Sequence, residues 1–340
     1  MIKRAVTIKD LAKKLGVSKS TISRALRDHP NVKEATRVAV QKLAKELNYQ
    51  PDRLALGLVG HKTYSLGLVV PRIDFPYFSH AVSGAQEIAS RAGYQIIICQ
   101  SNESLETEKA VINTLLANRV DGLMISISIE TEEYDHITDL QERGIPFVLF
   151  DRVIDCIQAP KVVMDNVDAA FRLVSHLIEQ GYRRIAHIAG PRGLLVSEQR
   201  IKGYEQALRK YGLEYNPAWV IHSGFRVESG EQTTKQLLEL NNRPDAIMAV
   251  SDSAAMGAVL AIEDAGLRVP DDIAVAGFNN ENFTRFVKPG LTTVSLPMYE
   301  LGQQAVKMLL RQIEHPDGFK VPHPLTLKSH LIERGSTTRR

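Results

Sequence analysis

From Tyr64 onward, short runs of apolar, β-prone residues alternate with longer stretches in which apolar residues recur at helical spacing. This alternation is typical of parallel strands joined by right-handed helical crossovers. The expected strands are Leu66–Val70, Ile96–Cys99, Leu123–Ile127, Phe147–Phe150, Val162–Met164, Ile185–Ala189, Ile247–Val250 and Ile273–Ala276. The expected helices include Ser79–Ala92, Glu106–Asn118, Ala169–Gln180, Ala254–Ala265 and a last one near 300–312. This number of strands suits two doubly wound α/β lobes.

Ligands of such sheets bind beyond the carboxyl ends of the strands, so the residues that follow each strand are candidate contacts. Three aromatic residues, Phe75, Tyr77 and Phe78, follow the first expected strand. They could stack on a sugar ring or a base, or pack within their own loop. Asp151 and Arg152 follow the fourth strand. This pair could chelate vicinal hydroxyl groups, or form a salt bridge with each other.

Polar residues also follow the later strands. The sequence places Arg200 at the start of a helix, where the helix dipole disfavours a cation. A polar ligand would explain an arginine at that position. Ser251 and Asp252 come after the next apolar strand, and Asn279 after the one that follows it.

The first sixty residues have a different pattern, that of a short helical domain. Thr7 and Asp10 have the spacing of a capping box, and the residues after them have an apolar face at helical spacing. Gly16 is expected to end this helix because glycine readily adopts the left-handed conformation. Ser18 is expected to cap a second helix, in which Ile22 and its neighbours Ala25 and Leu26 face inward.

Two short helices joined by a tight turn form the unit that inserts its second helix into a DNA major groove. Lys19 and Ser20 lie at the end that reaches base edges, and Arg24, one turn later, is suited to guanine. The hydroxyl groups of Thr7, Thr21 and Ser23 are suited to phosphate oxygens. The candidate DNA-binding residues of the helical domain are therefore Thr7, Ser18, Lys19, Ser20, Thr21, Ser23 and Arg24.

Charge separates the two parts of the chain. Residues 1–62 contain 14 Lys and Arg against 5 Asp and Glu, whereas residues 63–340 contain 28 against 34. A basic N-terminal part on an acidic body indicates a polyanionic partner for the basic part. A third helix is expected from about Lys33 to Asn48, and Pro51 is expected to end it.

Composition excludes several other classes of protein. The chain has 340 residues, which is enough for two or three domains, and it contains no apolar stretch of the roughly 18–20 residues that cross a bilayer. Its first residues lead into a polar helix rather than a secretion signal, so we expect a cytoplasmic protein. Cys99 and Cys156 are expected to be core thiols, with no disulfide and no metal site.

The chain resembles the lactose-repressor/galactose-repressor family of bacterial transcription regulators. The residues that carry the resemblance are Thr7-Ile8-Lys9-Asp10-Leu11-Ala12, Gly16-Val17-Ser18, Thr21-Ile22-Ser23-Arg24-Ala25-Leu26 and Leu47-Asn48-Tyr49-Gln50-Pro51. The resemblance implies a homodimer on a palindromic operator. It also implies a helix-turn-helix domain in residues 1–50 and a hinge helix in 51–62, with Leu58 wedged into the minor groove.

The resemblance further implies that residues 63–340 form an effector-binding and dimerisation domain that is similar to periplasmic sugar-binding proteins. Its first lobe would comprise about 63–160 and 291–318, and its second lobe about 161–290 and 319–340. The implied effector contacts are Phe75, Tyr77, Phe78, Asp151, Arg152, Arg200, Phe225, Ser251, Asp252 and Asn279. Asn279 departs from the aspartate that is usual in the family, and this departure leaves the identity of the effector open.

The function implied is a ligand-responsive repressor, most naturally of carbohydrate-utilisation genes. A sugar or sugar derivative is the favoured effector, with a purine or nucleoside as the second candidate. No cofactor is expected. A solute-binding protein of transport is the first alternative, but the DNA-type N-terminal part disfavours it. A cytosolic α/β enzyme is the second, and no phosphate loop, zinc-binding motif or nucleophile elbow supports it.

Overall fold

A computed structural model describes residues 6–26, 28–47, 49, 62–316, 319–321 and 323–339. The chain divides into two compact units, Met1–Tyr64 and Ser65–Arg340. No described helix is both long and apolar enough to cross a membrane.

The first unit contains three helices, which are α1 (Ile8–Leu15), α2 (Lys19–Leu26) and α3 (Glu34–Glu46). The carboxylate of Asp10 accepts hydrogen bonds from the backbone N–H and the hydroxyl of Thr7, at 2.8 and 2.7 Å, so the predicted start of α1 is confirmed. Gly16 ends α1 with a φ of 65°, as the sequence predicts. The helices enclose a small core of fully buried side chains from Leu11, Ile22, Ala25 and Val40.

The second unit contains two six-stranded sheets. The strands are β1 (Ser65–Val70), β2 (Gln95–Gln100), β3 (Gly122–Ile125), β4 (Phe147–Phe150), β5 (Lys161–Met164), β6 (Ile185–Ala189), β7 (Val220–His222), β8 (Ala246–Ala249), β9 (Ala274–Phe278), β10 (Thr292–Ser295), β11 (Leu325–Leu327) and β12 (His330–Ile332). The first sheet has the order β11-β5-β4-β3-β1-β2, and the second has the order β12-β10-β9-β8-β6-β7. Strands β10 and β12 are antiparallel, and every other pairing among the described strands is parallel.

Helices connect these strands and cover the sheets. They are α4 (Pro76–Arg91), α5 (Leu105–Ala117), α6 (Asp135–Glu142), α7 (Asn166–Glu179), α8 (Leu195–Lys210), α9 (Val227–Leu238), α10 (Asp252–Asp264) and α11 (Met298–Glu314). Short 3-10 turns lie at Pro217–Trp219, Asn282–Arg285 and Gly335–Thr337. In the first lobe α11 packs against α4, and in the second lobe α7 packs against α8 and α9 against α10. The predicted fold of a helical N-terminal domain and a doubly wound α/β body is confirmed.

The predicted lobe boundaries are wrong by several residues at each of the three crossovers. Strand β5 pairs in parallel with β4, so the chain leaves the first sheet after Met164 rather than near 160. Strand β10 pairs with β9 in the second sheet, and the chain returns to the first lobe only after Ser295. Strand β11 pairs with β5, so the last crossover follows Leu327 rather than 318. In each case the sheet gains one more parallel strand before the chain crosses.

The cysteines also differ in part from the expectation. Both are free, and Cys99 is partly buried in β2, whereas Cys156 is exposed and is therefore not a core thiol. Among the described residues, no group of three or more His, Cys, Asp or Glu side chains is placed to hold a metal ion.

Candidate functional site

The outer face of α2 carries the polar side chains that the sequence assigns to DNA. Ser18 caps this helix, because its hydroxyl accepts the Thr21 N–H at 3.1 Å. The hydroxyls of Ser20 and Thr21 lie 2.7 and 2.8 Å from the same oxygen. Lys19, Ser20 and Arg24 are exposed, and Thr21 and Ser23 are partly buried.

Thr7 lies at the start of α1, and its hydroxyl donates to the Asp10 carboxylate. Leu58 and the rest of the predicted hinge up to residue 61 lie outside the described residues. The role of these residues in binding DNA stays a prediction.

A pocket lies between the two lobes of the second unit, at the carboxyl ends of both sheets. Its cavity volume is about 40 Å³, within about 480 Å³ of empty space that includes open solvent. The residues that line it are Phe75, Tyr77, Phe78, Asp151, Arg152, Val196, Arg200, Phe225, Val250, Ser251, Asn279 and Glu281. Nine of the ten predicted effector contacts are therefore brought together here.

The first lobe contributes a buried carboxyl group and an aromatic wall. The Tyr77 hydroxyl donates a hydrogen bond to Asp151, whose backbone has a left-handed φ of 59°. Burial raises the pKa of the Asp151 carboxyl, and burial also raises the pKa of the Tyr77 hydroxyl well above its usual value. Left-handed backbone is costly outside glycine, and such positions cluster at functional sites.

Arg152 connects the two lobes across the pocket. Its Nη1 donates to the carboxylate of Glu103 at 2.7 Å, and both side chains are largely buried. Its guanidinium lies 5.7 Å from the ring centre of Phe78 in the first lobe and 5.2 Å from that of Phe225 in the second. A salt bridge between Arg152 and Asp151, which the sequence analysis left open as the alternative to ligand binding, is not formed within 4 Å, and Arg152 pairs with Glu103 instead.

Arg200 is the sixth residue of α8, not a residue at its start, so the expectation based on the helix dipole is wrong. Its Nε donates to Asn166 Oδ1 at 3.2 Å, and its Nη1 donates to the backbone oxygen of Val250 at 2.5 Å. The guanidinium also stacks 4.2 Å from the ring centre of Phe278. Burial lowers the pKa of Arg200. These contacts inside the protein hold the cation at the pocket wall.

Asp252 does not line the pocket, which corrects the tenth predicted contact. It is the first residue of α10, and it points toward the second sheet instead. Its carboxylate accepts the Thr293 hydroxyl at 2.5 Å and the Glu281 N–H at 2.7 Å. Burial raises the pKa of Asp252 to about 8. Asp252 therefore fixes the loop that follows β9.

Three lining residues were missed by the sequence analysis, namely Val196, Val250 and Glu281. Glu281 is the only charged one of these three. It lies two residues after Asn279 at the end of β9, so the strand-end rule could have included it. Asn279 and Asn280, which precede Glu281, have positive φ angles of 106° and 53°.

Comparison with known proteins supports the two-part architecture. Residues 7–52 match the family described as bacterial regulatory proteins, lacI family. Residues 63–329 match the family described as periplasmic binding proteins and sugar binding domain of LacI family. This chain belongs to the lacI family of bacterial regulatory proteins.

Relatives with assigned names agree. The HTH-type transcriptional repressor CytR of Escherichia coli strain K12 is 35% identical over 98% of this chain and 96% of its own length. The HTH-type transcriptional repressor PurR of Proteus mirabilis is 35% identical over 97% of this chain and 96% of its own. The Lac repressor dimer bound to operator and the anti-inducer ONPF superposes with a TM-score of 0.88, with 27% identity over 98% of this chain and 99% of that one.

The membership assigns the class of function. The lacI-family chain described here is a ligand-responsive DNA-binding transcriptional repressor, and its named relatives are regulators rather than enzymes. The helix-turn-helix of the first unit and the interlobe pocket of the second unit are its candidate sites for DNA and for ligand.

Proposed function

We propose that the protein acts in the bacterial cytoplasm as a homodimer, which binds a palindromic operator with one α2 helix in the major groove of each half-site. Lys19, Ser20 and Arg24 read base edges, because they are exposed at and after the start of α2. Thr7, Ser18, Thr21 and Ser23 bind phosphates. The hinge in residues 51–62, including Leu58, contributes the minor-groove contact.

The interlobe pocket binds the small-molecule effector, and a sugar or sugar derivative is the class that fits best. The observation that carries this proposal is the position and lining of the pocket. It lies at the carboxyl ends of both sheets and combines four aromatic rings with carboxyl, guanidinium, hydroxyl and amide groups. Aromatic rings pack on the apolar face of a sugar, and the polar groups bind its hydroxyls.

A purine or nucleoside is the second candidate. The rings of Phe75 and Phe225 come from opposite lobes and could hold a flat base, and the Asn279 amide both donates and accepts hydrogen bonds.

The regulated genes are proposed to be those of carbohydrate utilisation. Among similar solved structures is a CelR–cellobiose complex, with a TM-score of 0.74 and 29% identity over 97% of this chain and 99% of that one.

Two measurements test the proposal. Selection of bound fragments from genomic DNA should yield a palindromic sequence that binds more tightly than scrambled duplex at the same salt concentration. A thermal-shift screen against sugars, nucleosides and nucleobases should then identify a ligand that both stabilises the protein and changes its affinity for that sequence. Binding of all duplexes with equal affinity would contradict the proposal that the protein recognises a specific operator. Chemical turnover of the bound ligand would indicate an enzyme instead.

A further inference from the structure

The interlobe pocket lacks the excess of positively charged side chains that would favour an anionic ligand. Two guanidinium groups, of Arg152 and Arg200, line the pocket together with two carboxyl groups, of Asp151 and Glu281. A third carboxylate, of Glu103, lies directly behind Arg152 at 2.7 Å. Just outside the lining, the guanidinium groups of Arg72 and Arg226 lie 5.8 Å from the ring centre of Phe75, and both pair with Asp74. Cations and carboxyl groups around the pocket are therefore similar in number, and no lysine lines it.

Both guanidinium groups already have partners. Arg152 is neutralised by Glu103, which also accepts the Ile129 N–H at 3.0 Å and is thereby held in place. Arg200 donates to a side-chain oxygen and a backbone oxygen, and it lies against an aromatic ring. An incoming phosphate would compete with Glu103 for Arg152, and it would share Arg200 with the oxygens of Asn166 and Val250.

The two lining carboxyl groups, in contrast, have no cationic partner. Within the described part of the chain, no Lys, Arg or His nitrogen lies within 4 Å of the carboxyl oxygens of Asp151 or Glu281. Asp151 accepts the Tyr77 hydroxyl, and Glu281 accepts a long hydrogen bond of 3.4 Å from the Ser253 hydroxyl and interacts with the Asn279 side-chain amide. Their remaining lone pairs are available to hydroxyl or N–H donors of a ligand.

Helix α10 does not supply an anion site either. Its N-cap, Ser251, accepts the Ala254 N–H at 3.0 Å and donates to the Phe225 backbone oxygen at 2.7 Å. Its first residue is Asp252, which adds a carboxyl group to the first turn of the helix.

We infer that the effector is an uncharged molecule with several hydroxyl groups, and that Glu281 is a specificity residue which rejects the phosphorylated form of that molecule. The inference rests on the proposed function, because it takes the interlobe pocket as the effector site. Glu281 accepts hydrogen bonds from the neutral ligand and repels a phosphate group in the same poorly solvated space. Asp252 holds the Glu281 backbone in position through its hydrogen bond to the Glu281 N–H.

The test compares matched pairs of probes by calorimetry and thermal shift on the full chain. The pairs are D-ribose and D-ribose 5-phosphate, D-glucose and D-glucose 6-phosphate, and adenosine and its 5′-monophosphate. For any pair that binds, the phosphorylated member should bind at least about tenfold more weakly to the wild type. Glu281→Gln should reduce that ratio to within about threefold, because it removes a charge and keeps the shape.

Glu263→Gln is the matched control, since it removes the same charge from an exposed position of the same lobe and should leave the ratio unchanged. Equal or tighter binding of the phosphorylated member would overturn the inference. An unchanged ratio in Glu281→Gln would overturn the role of Glu281.

Inorganic phosphate provides an arm that does not depend on finding the effector. Phosphate bound by the basic N-terminal part should stabilise the wild type and Glu281→Gln equally. Any difference between their thermal shifts therefore measures phosphate binding in the pocket. Phosphate should stabilise Glu281→Gln more than the wild type at matched ionic strength, and equal stabilisation would count against the inference. Failure of every neutral probe, together with the expected phosphate difference, would instead refute the sugar or nucleoside class that the proposed function names.

Discussion

At the scale of single residues, the charge of Asp252 depends on the fold. Burial raises the pKa of its carboxyl from 3.8 to about 8, so the folded chain retains a proton that the unfolded chain has released. This stabilising contribution is complete below the unfolded pKa, near 3.8, and is lost as the pH rises to about 8. We predict that the free energy of unfolding of the wild type, minus that of Asp252→Asn, falls across this range when measured by urea denaturation.

The matched control for this prediction is Asp264→Asn, at the exposed last residue of the same helix. Asp264→Asn removes a carboxylate that belongs to no buried hydrogen-bond network. The free energy of unfolding of the wild type, minus that of Asp264→Asn, should therefore not fall as the pH rises. A difference between wild type and Asp252→Asn that stays constant or increases between pH 4 and 8 would show that Asp252 is ionised in the folded chain.

Single residues also show what the sequence could and could not predict about the site. The strand-end rule placed Asp151, Arg152 and Ser251 at the pocket because the carboxyl ends of parallel strands meet at one edge. The same rule wrongly included Asp252, whose carboxyl group bonds the Thr293 hydroxyl and the Glu281 N–H on the side of the second sheet. It missed Glu281, although this residue lies only three positions after the end of β9, because the sequence does not show which side chains of that loop face the cleft.

At the scale of secondary-structure elements, helix α2 is expected to read the operator through Arg24. The side chain is exposed on the outer face of the helix, and a bidentate contact to guanine is worth about 1–3 kcal/mol. We predict that Arg24→Ala weakens binding to the operator by that amount and weakens binding to scrambled duplex much less, measured by fluorescence anisotropy at fixed salt. Lys42→Ala, which removes one exposed positive charge from α3, should weaken both duplexes to a similar extent. Equal losses on both duplexes for Arg24→Ala would make it a phosphate contact.

The pair of helices α4 and α11 depends on two glycines that let their backbones touch. A Cβ atom on Gly84 would lie 1.9 Å from the Tyr299 backbone oxygen, and one on Gly302 would lie 1.9 Å from the Ala81 backbone oxygen. In an isolated helix, Gly→Ala stabilises by about 1 kcal/mol. Here we predict the opposite sign, a loss of about 2 kcal/mol or more for Gly84→Ala or Gly302→Ala, because the helices must move apart.

Urea denaturation measures this loss, and Ser83→Ala serves as the control because Ser83 is the exposed neighbour of Gly84 in α4. Its effect should stay within about 0.5 kcal/mol. A stabilised Gly84→Ala would mean that the two helices are not in close contact.

The elements that the sequence missed share a physical cause. All eight predicted strands are present because each contains a run of apolar residues, which the sequence pattern detects; these residues are buried in most of the strands and partly exposed in β2. Strands β7, β11 and β12 have three residues each, too few to show a period, and β12 lies at the edge of the second sheet. The four residues of β10 include two buried threonines, which read as polar. Strands β10 and β11 decide where the chain makes its last two crossings between the lobes, so those boundaries could not be predicted correctly. The first boundary depends on the pairing of β5 with β4, which the apolar pattern of β5 does not show.

For the molecule as a whole, contacts between the lobes define the arrangement that an effector can stabilise. Arg152 of the first lobe lies against Phe225 of the second, and Arg226 of the second lobe lies 3.8 Å from the Asp74 carboxylate of the first. The Arg226–Asp74 pair is half-exposed and contributes little by itself. A ligand that contacts both lobes adds to these interactions only when the lobes are together. It therefore favours this arrangement by its difference in affinity between the two states.

Such a difference in affinity makes a quantitative prediction about the complete dimer. If the effector changes the affinity for the operator by some factor, the operator must change the affinity for the effector by the same factor, because both describe one coupling free energy. We predict equal factors, of about 5- to 150-fold, from operator anisotropy with and without effector and from effector calorimetry with and without operator. Phe225→Ala should reduce both factors together, since it removes the ring that meets Arg152 across the cleft. An effector that binds tightly but leaves both affinities unchanged would show that the pocket binds a ligand without controlling DNA binding.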